Sequence, residues 1–300
     1  MSSNLKTGVI GLGAMGTPMA RNLHGAGYLH RIWNRTPDKA EALAPDLDVT
    51  IAADPADMAR ACPVIISSVS ADHDLLEVID ALAPAVGPES IVVDTSTVSR
   101  DTAQAAAKKL RESGAAFLDA PVSGGVEGAR KGTLAMMIGG EAKVLALITP
   151  VLEAFATHIV HMGPVGAGQA TKAVNQVMAA GVNQAVSEAL AFAKTLELPL
   201  DQVIEIVGSG AAGNWFLSHR GPAMAAGNFE PGFKVALHHK DLLICKAMAA
   251  TFDVAMPLVE MTIIHYRRLM KAGYGEEDIS ALLREKLALF SKDSTRPKKP

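Results

Sequence analysis

Cysteine is scarce in this chain, with only Cys62 and Cys245 among 300 residues. They stand far apart, each inside an apolar stretch (61–66 and 242–250), which predicts two buried thiols rather than a disulfide framework. Buried thiols fit a reducing compartment. The opening residues run straight into a strand-like segment without a secretory leader pattern, so the sequence reads as cytoplasmic. Long apolar runs are missing too. None reaches the roughly 18 residues a membrane helix needs, and the longest alanine-rich stretch, 173–193, is broken by Asn175, Gln176, Asn183, Gln184 and Glu188. An excess of positive charge is also absent. The formal net charge is −3, which argues against a nucleic-acid partner. Arg296, Lys298 and Lys299 are read as part of a disordered basic tail, 293–300. Metal spacings are lacking as well. His238 and His239 would point different ways on a helix, and His158 and His161 have no cysteine or carboxylate at ligand spacing.

Hydrophobic residues make up 49% and charged residues 20%, an ordinary globular balance that needs no metal or disulfide to build a core. The first half alternates short β-branched runs (6–10, 30–33, 64–68, 91–94, 116–119) with helical patterns (15–25, 37–43, 71–83, 99–113). Such alternation predicts βαβ units and a parallel sheet covered on both faces. A strand at 133–138, a helix at 142–156 and a strand-like 158–161 close this half. From Val165 onward the pattern is helical. The proline-free stretch 166–196 predicts one helix of about 45 Å, followed by helices at 200–208, 237–251, 257–272 and 278–289. The expected fold class is α/β: a doubly wound parallel sheet over 1–164 and an all-α domain over 165–292, joined by the long helix.

Gly11-Leu12-Gly13-Ala14-Met15-Gly16 matches the dinucleotide-binding glycine pattern. It follows a strand and opens a helix, the context the pattern requires. Gly11 permits the tight turn, Gly13 lets a pyrophosphate approach the backbone, and Gly16 lets helix and strand pack closely. The end of the second strand carries Asn34-Arg35-Thr36 instead of the carboxylate that would bind a ribose 2′-hydroxyl. Arg35 could pair with a 2′-phosphate while Asn34 and Thr36 donate hydrogen bonds, which favours NADP over NAD. Arg35 stacked on the adenine would suit either cofactor, so NAD stays open. Val69, Ser70 and Thr97 follow later strands at the same carboxyl edge, where such sheets bind ligands. For Ser99 the expected role is helix capping.

Four stretches together resemble the β-hydroxyacid dehydrogenases: 11–23 (GLGAMGTPMARNL), 119–125 (DAPVSGG), 168–176 (GQATKAVNQ) and Lys240-Asp241-Leu242. The resemblance implies a Rossmann-type N-terminal domain, a helical C-terminal domain, an active site in the cleft between them and a homodimer or homotetramer held through helical domains. It makes Lys172 the catalytic lysine and Asn175 the asparagine that helps position substrate. Ser123 and Gly124 become the binders of the substrate carboxylate, Lys240 a lysine near cofactor and substrate, and Thr97 a cofactor contact. The chemistry is compatible with these residues. Reducing a carbonyl needs a proton donor and a partner for the developing alkoxide, and an ammonium serves as both. Lys172 and Asn175 are spaced i, i+3 on one helix face, and a Ser-Gly-Gly turn can offer N–H groups to a carboxylate.

The substrate is left between two branches. Asn175-Gln176 and 228–240 are more similar to tartronate semialdehyde (2-hydroxy-3-oxopropionate) reductases, and Gly213-Asn214-Trp215 to 3-hydroxyisobutyrate dehydrogenases. Asn214-Trp215-Phe216 reads equally as a border of the substrate mouth and as a core anchor. Ser209, Ser218 and His219 form no recognisable nucleophile triad. Succinic semialdehyde reduction, imine reduction and a non-catalytic NADP-binding interaction protein are the alternatives. Lys172 counts against the last two, because imine reductases often lack this lysine and non-catalytic relatives replace it with an apolar residue.

Overall fold

The computed structural model describes residues 5–290; the expected tail lies outside them. The chain divides into two compact units that part between Ala173 and Val174, inside the long helix rather than ahead of it.

The first unit holds nine strands: β1 (Thr7–Ile10), β2 (Leu29–Trp33), β3 (Thr50–Ile51), β4 (Val64–Ser67), β5 (Ile91–Asp94), β6 (Ala116–Asp119), β7 (Val122–Ser123), β8 (Leu134–Gly139) and β9 (Ala156–Gly163). Their order is β3-β2-β1-β4-β5-β6-β8-β7, with β9 also paired to β8. The six strands from β3 to β6 are parallel, as alternation with helices predicts. Beyond them the sheet is mixed, because β8 runs antiparallel to β6 and β7 and parallel to β9. The expectation of a wholly parallel sheet is corrected there. The chain after β6 turns back over the short Val122–Ser123 strand, which leaves no room for a crossover helix.

Seven helices cover this sheet: α1 (Gly16–Gly25), α2 (Pro37–Leu47), α3 (Pro55–Ala61), α4 (Asp72–Leu82), α5 (Arg100–Glu112), α6 (Gly125–Lys131) and α7 (Ala142–Leu152). Successive strand residues point to opposite faces, and the two cores follow that rule. Val9, Ile66, Val93 and Leu118 join Met19, Leu23, Leu43, Ile148 and Leu152 on one face. Ile10, Ile65, Val92 and Phe117 join Met58, Leu75, Ile79 and Leu110 on the other. Each such side chain contributes roughly 1.5–3 kcal/mol when fully buried.

The second unit is helical. It takes the later turns of α8 (Ala167–Thr195), then α9 (Leu200–Gly208), α10 (Trp215–Ala225), α11 (Val235–Ala250), α12 (Pro257–Lys271) and α13 (Leu282–Phe290), with a 3-10 turn at Ile279–Ala281. The polar residues that interrupt the alanine-rich stretch face inward here. Asn183 donates to the Tyr266 hydroxyl (3.0 Å) and the Ile279 carbonyl (2.8 Å). Gln184 donates to Thr262 (3.0 Å). Their burial is tolerated because these hydrogen bonds satisfy them. Cys62 and Cys245 are buried and not joined in a disulfide, as expected. Among the described residues no helix is long and apolar enough to cross a membrane.

Candidate active site

The glycine pattern forms the turn between β1 and α1. At Gly11 (φ +92°) an added Cβ would overlap the Ser68 carbonyl, and at Gly16 it would overlap the Gly11 carbonyl. These two glycines close-pack the turn. Gly13 differs: a Cβ there would meet nothing within 4 Å, so this side of the turn is open to a ligand. The N-cap of α1, Met15, supplies no side-chain acceptor, which leaves the positive end of the helix to an anion. A cavity of about 630 Å³ borders Gly13 and Ala14 and carries Arg21, Lys39 and Arg130. The turn therefore fits a dinucleotide pyrophosphate, and the cations fit phosphate charge. Sequence reading missed Lys39, although it stands just past Asn34-Arg35-Thr36.

The end of β2 departs from expectation. The Asn34 carbonyl oxygen accepts from the Leu12 N–H (2.8 Å) and its amide donates to the Thr36 carbonyl (2.8 Å). Asn34 thus ties the glycine turn to β2 instead of offering its amide to a phosphate. Thr36 is the N-cap of α2 without a side-chain capping bond. Arg35, 69% exposed, donates to Asp74 (2.6 Å) and lies 3.5 Å from Glu77 on α4. Those two carboxylates were not foreseen. A guanidinium has five N–H donors, so this pairing leaves donors for a phosphate.

Past β4, Val69 is half-buried and Ser70 exposed. The Val69 N–H donates to Ser96 Oγ (2.8 Å). Ser96 Oγ in turn donates to Asp94 (2.6 Å), which also accepts from Ser67 Oγ (2.7 Å). Burial pushes the Asp94 carboxyl up to about 6 against the pull of these hydrogen bonds. Thr97 follows, half-buried, and Ser99 caps α5 through the Thr102 N–H, as predicted.

Lys172 lies on α8 and is 7% exposed. Its Nζ donates to the Val122 carbonyl (2.8 Å), next to Ser123 on β7 and Gly124 at the start of α6. Three of the predicted residues, Lys172, Ser123 and Gly124, are therefore gathered within the first unit. Asp119 anchors this group, because its carboxylate accepts from the Gly166 N–H (2.7 Å) and the Gln169 N–H (2.9 Å). Burial raises its pKa, and those N–H groups partly offset the shift. A Cβ on Gly168 would overlap the Met137 carbonyl oxygen and crowd that of Asp119, so the start of α8 is pressed onto the sheet.

Asn175 and Lys240 belong to the second unit, where one polar chain joins them. Asn175 donates to Gln176 (2.8 Å), Gln176 donates to Asp241 (2.6 Å), and Asp241 lies 3.1 Å from Lys240 Nζ. His238 is buried between the Tyr266 hydroxyl (3.0 Å) and the Gln176 carbonyl (3.2 Å), so it belongs to this packing. Phe216 is buried while Trp215 is 57% exposed; the segment is both anchor and surface, and Asn214 caps α10.

Comparison with known proteins agrees with this geometry. Residues 6–163 match the NAD binding domain of 6-phosphogluconate dehydrogenase. Residues 166–285 match the NAD-binding family of NADP-dependent 3-hydroxyisobutyrate dehydrogenase. The chain is 34% identical to an NAD-dependent L-serine dehydrogenase of Pseudomonas aeruginosa, over 91% of this chain and 95% of that protein. It is 33% identical to 2-hydroxy-3-oxopropionate reductase of Escherichia coli, over 93% and 96%. Among solved structures, the 3-hydroxyisobutyrate dehydrogenase of Mycobacterium tuberculosis with L-serine superposes with a TM-score of 0.85 at 30% identity, covering 94% of this chain and 99% of that one. The chain belongs to the β-hydroxyacid dehydrogenase family, NAD(P)-dependent oxidoreductases acting on the CH–OH group of their donors.

Proposed function

We propose that this protein interconverts a small 3-hydroxy acid and its semialdehyde, of the 3-hydroxyisobutyrate or 2-hydroxy-3-oxopropionate kind, with NADP(H) preferred and NAD(H) accepted. One contact carries the reading: the Lys172 ammonium, almost fully buried, is held 2.8 Å from the Val122 carbonyl beside the Ser123-Gly124 turn. That puts a proton-carrying group next to hydroxyl and N–H donors suited to a carboxylate.

In the oxidative direction the carbinol hydrogen leaves with its electron pair and the hydroxyl proton passes to Lys172 Nζ. The nicotinamide accepts that hydride, and returns it in the reductive direction. Ser123 and Gly124 hold the substrate carboxylate, Asn175 orients the substrate, and Lys240 adds positive charge. Gly11, Leu12, Gly13, Ala14, Met15 and Gly16 hold the pyrophosphate, with Val69, Ser70 and Thr97 along the same sheet edge. Arg35 supports the NADP preference, since a 2′-phosphate would meet a cation there and no carboxylate at position 34 or 36. Exposed apolar side chains of the second unit, Ile206, Trp215 and Phe252, favour a homodimer or homotetramer.

The test is oxidation of NADPH and of NADH against tartronate, methylmalonate and succinate semialdehydes, and the reverse reaction with 3-hydroxyisobutyrate and L-serine. Lys172→Ala should lower kcat/KM about 10²–10⁴-fold while NADPH affinity changes little. A variant as active as the parent would remove Lys172 from the mechanism. Cofactor binding without turnover of any substrate would favour a non-catalytic interaction protein.

A further inference from the structure

Gln169 stands one helical turn before Lys172 on α8 and is 2% exposed. Its side-chain oxygen accepts from the Val98 N–H (3.2 Å), and its side-chain nitrogen donates to the Ser96 carbonyl (2.8 Å). The amide therefore grips the backbone on both sides of Thr97. The donor and acceptor partners fix which end of the amide is which. Its own main-chain N–H is held by Asp119 (2.9 Å). Ser96, at the far end of the grip, binds the Val69 N–H and the Asp94 carboxyl.

We propose that Gln169 is a positioning residue that locks the cofactor-contacting segment around Thr97 to the helix turn bearing Lys172, so that one buried amide sets the spacing between the nicotinamide end of the cofactor and the proton-transfer group. The proposal rests on the reading of Thr97 as a cofactor contact and Lys172 as the acid–base group. Nothing else in that reading requires a glutamine here, because α8 is already capped by Asp119 and an apolar side chain would fill the same buried space. What an apolar side chain cannot do is hold residues 96 and 98 at once. Misplacement by about 1 Å costs roughly 100-fold in rate, so the grip acts on turnover more than on folding.

Two variants separate this from a merely structural role. Gln169→Leu removes both hydrogen bonds. Gln169→Glu restores them when protonated, since a neutral carboxyl has one O–H donor and one carbonyl acceptor. Burial near Asp94 and Asp119 disfavours ionisation of the introduced carboxyl and keeps it neutral to higher pH than usual. For Gln169→Leu we expect kcat to fall about 10- to 100-fold, with the substrate KM within about twofold because the Ser123 turn is untouched. The NADPH Kd, read by fluorescence titration, should rise several-fold. Gln169→Glu should match the parent in kcat and NADPH affinity near pH 6 and fall to the leucine level as pH rises, while the parent keeps its own profile. The proposal is overturned if Gln169→Leu keeps parental kcat and NADPH affinity, or if the two variants behave alike at every pH. The NADPH titration needs no turnover. If the parent acts on no tested substrate, the proposed function fails, while the pH-dependent affinity of Gln169→Glu still decides whether the grip exists.

Discussion

Each unit buries an aspartate at the start of a helical element, and the two are handled differently. Asp119 is met by backbone N–H groups of Gly166 and Gln169, and burial dominates, raising its pKa. Asp278 is equally removed from water, yet its pKa falls. The Arg220 guanidinium holds it through two hydrogen bonds (2.7 and 2.9 Å), and the Ser280 and Phe233 N–H groups add to the pull. Asp278 staples α10, the segment before α11 and the 3-10 turn together. Asp119 aims a helix start. A guanidinium gives holding strength, whereas N–H groups alone give direction, which suits a place where Lys172 itself brings positive charge.

The largest effect on stability should come from cutting the staple. Asp278→Asn leaves Arg220 buried without its carboxylate, and breaking such a pair typically costs about 3 kcal/mol or more. Urea unfolding measured at pH 7 reads this, and a loss under about 1 kcal/mol would show that Arg220 finds water or another partner.

The pH dependence sharpens the contrast, because Asp94 and Asp278 are shifted in opposite directions. Asp94 has a folded pKa raised to about 6, so between about pH 4 and pH 6 the native state keeps a proton that the unfolded chain has lost. Its contribution is therefore full at the acid end of that window and declines as pH rises through it, by an amount on the order of 2 kcal/mol. Asp278 is depressed, so its contribution is present above about pH 4 and is lost as pH falls through its folded value. Unfolding free energies from pH 3 to 8 should show Asp94→Asn flattening the slope between pH 4 and 6, and Asp278→Asn weakening the acid limb instead. An unchanged mid-range slope in Asp94→Asn would show that another group carries it.

The smallest effect belongs to the exposed counterpart, Arg35 with Asp74. Solvent screens such a pair, so Arg35→Ala should leave the melting temperature unchanged and raise the KM for NADPH about two- to fivefold, with the KM for NADH unmoved. Equal changes for both cofactors would mean that Arg35 contacts the adenine rather than the 2′-phosphate.

Much of this was legible in the order of residues. The strand–helix alternation and the glycine turn mark the first unit, and the proline-free stretch marks α8. Short elements were not. β3 has two residues, too few to show a period. α10 contains Gly221 and Pro222, which hide its helical pattern even though Asn214 marks its start. Lys172, Ser123 and Gly124 were legible as members of recognisable runs. Gln169 lay within one of those runs, but its partners are 71 and 73 residues away. Asn34 shows the converse. Its side chain was assigned to a ligand on the strength of its place, while the fold spends it on the Leu12 N–H.

Gly168 carries a consequence for how this chain can vary through descent. Every single-base change that alters its amino acid puts a side chain, or a stop, where the Met137 and Asp119 carbonyl oxygens already lie. A saturation library should therefore show this column almost empty, beside a permissive Gly13, where an added methyl meets open space in the protein alone. Selection for folding would guard the first glycine and selection for cofactor use the second. Libraries scored once for abundance and once for turnover would pull the two apart.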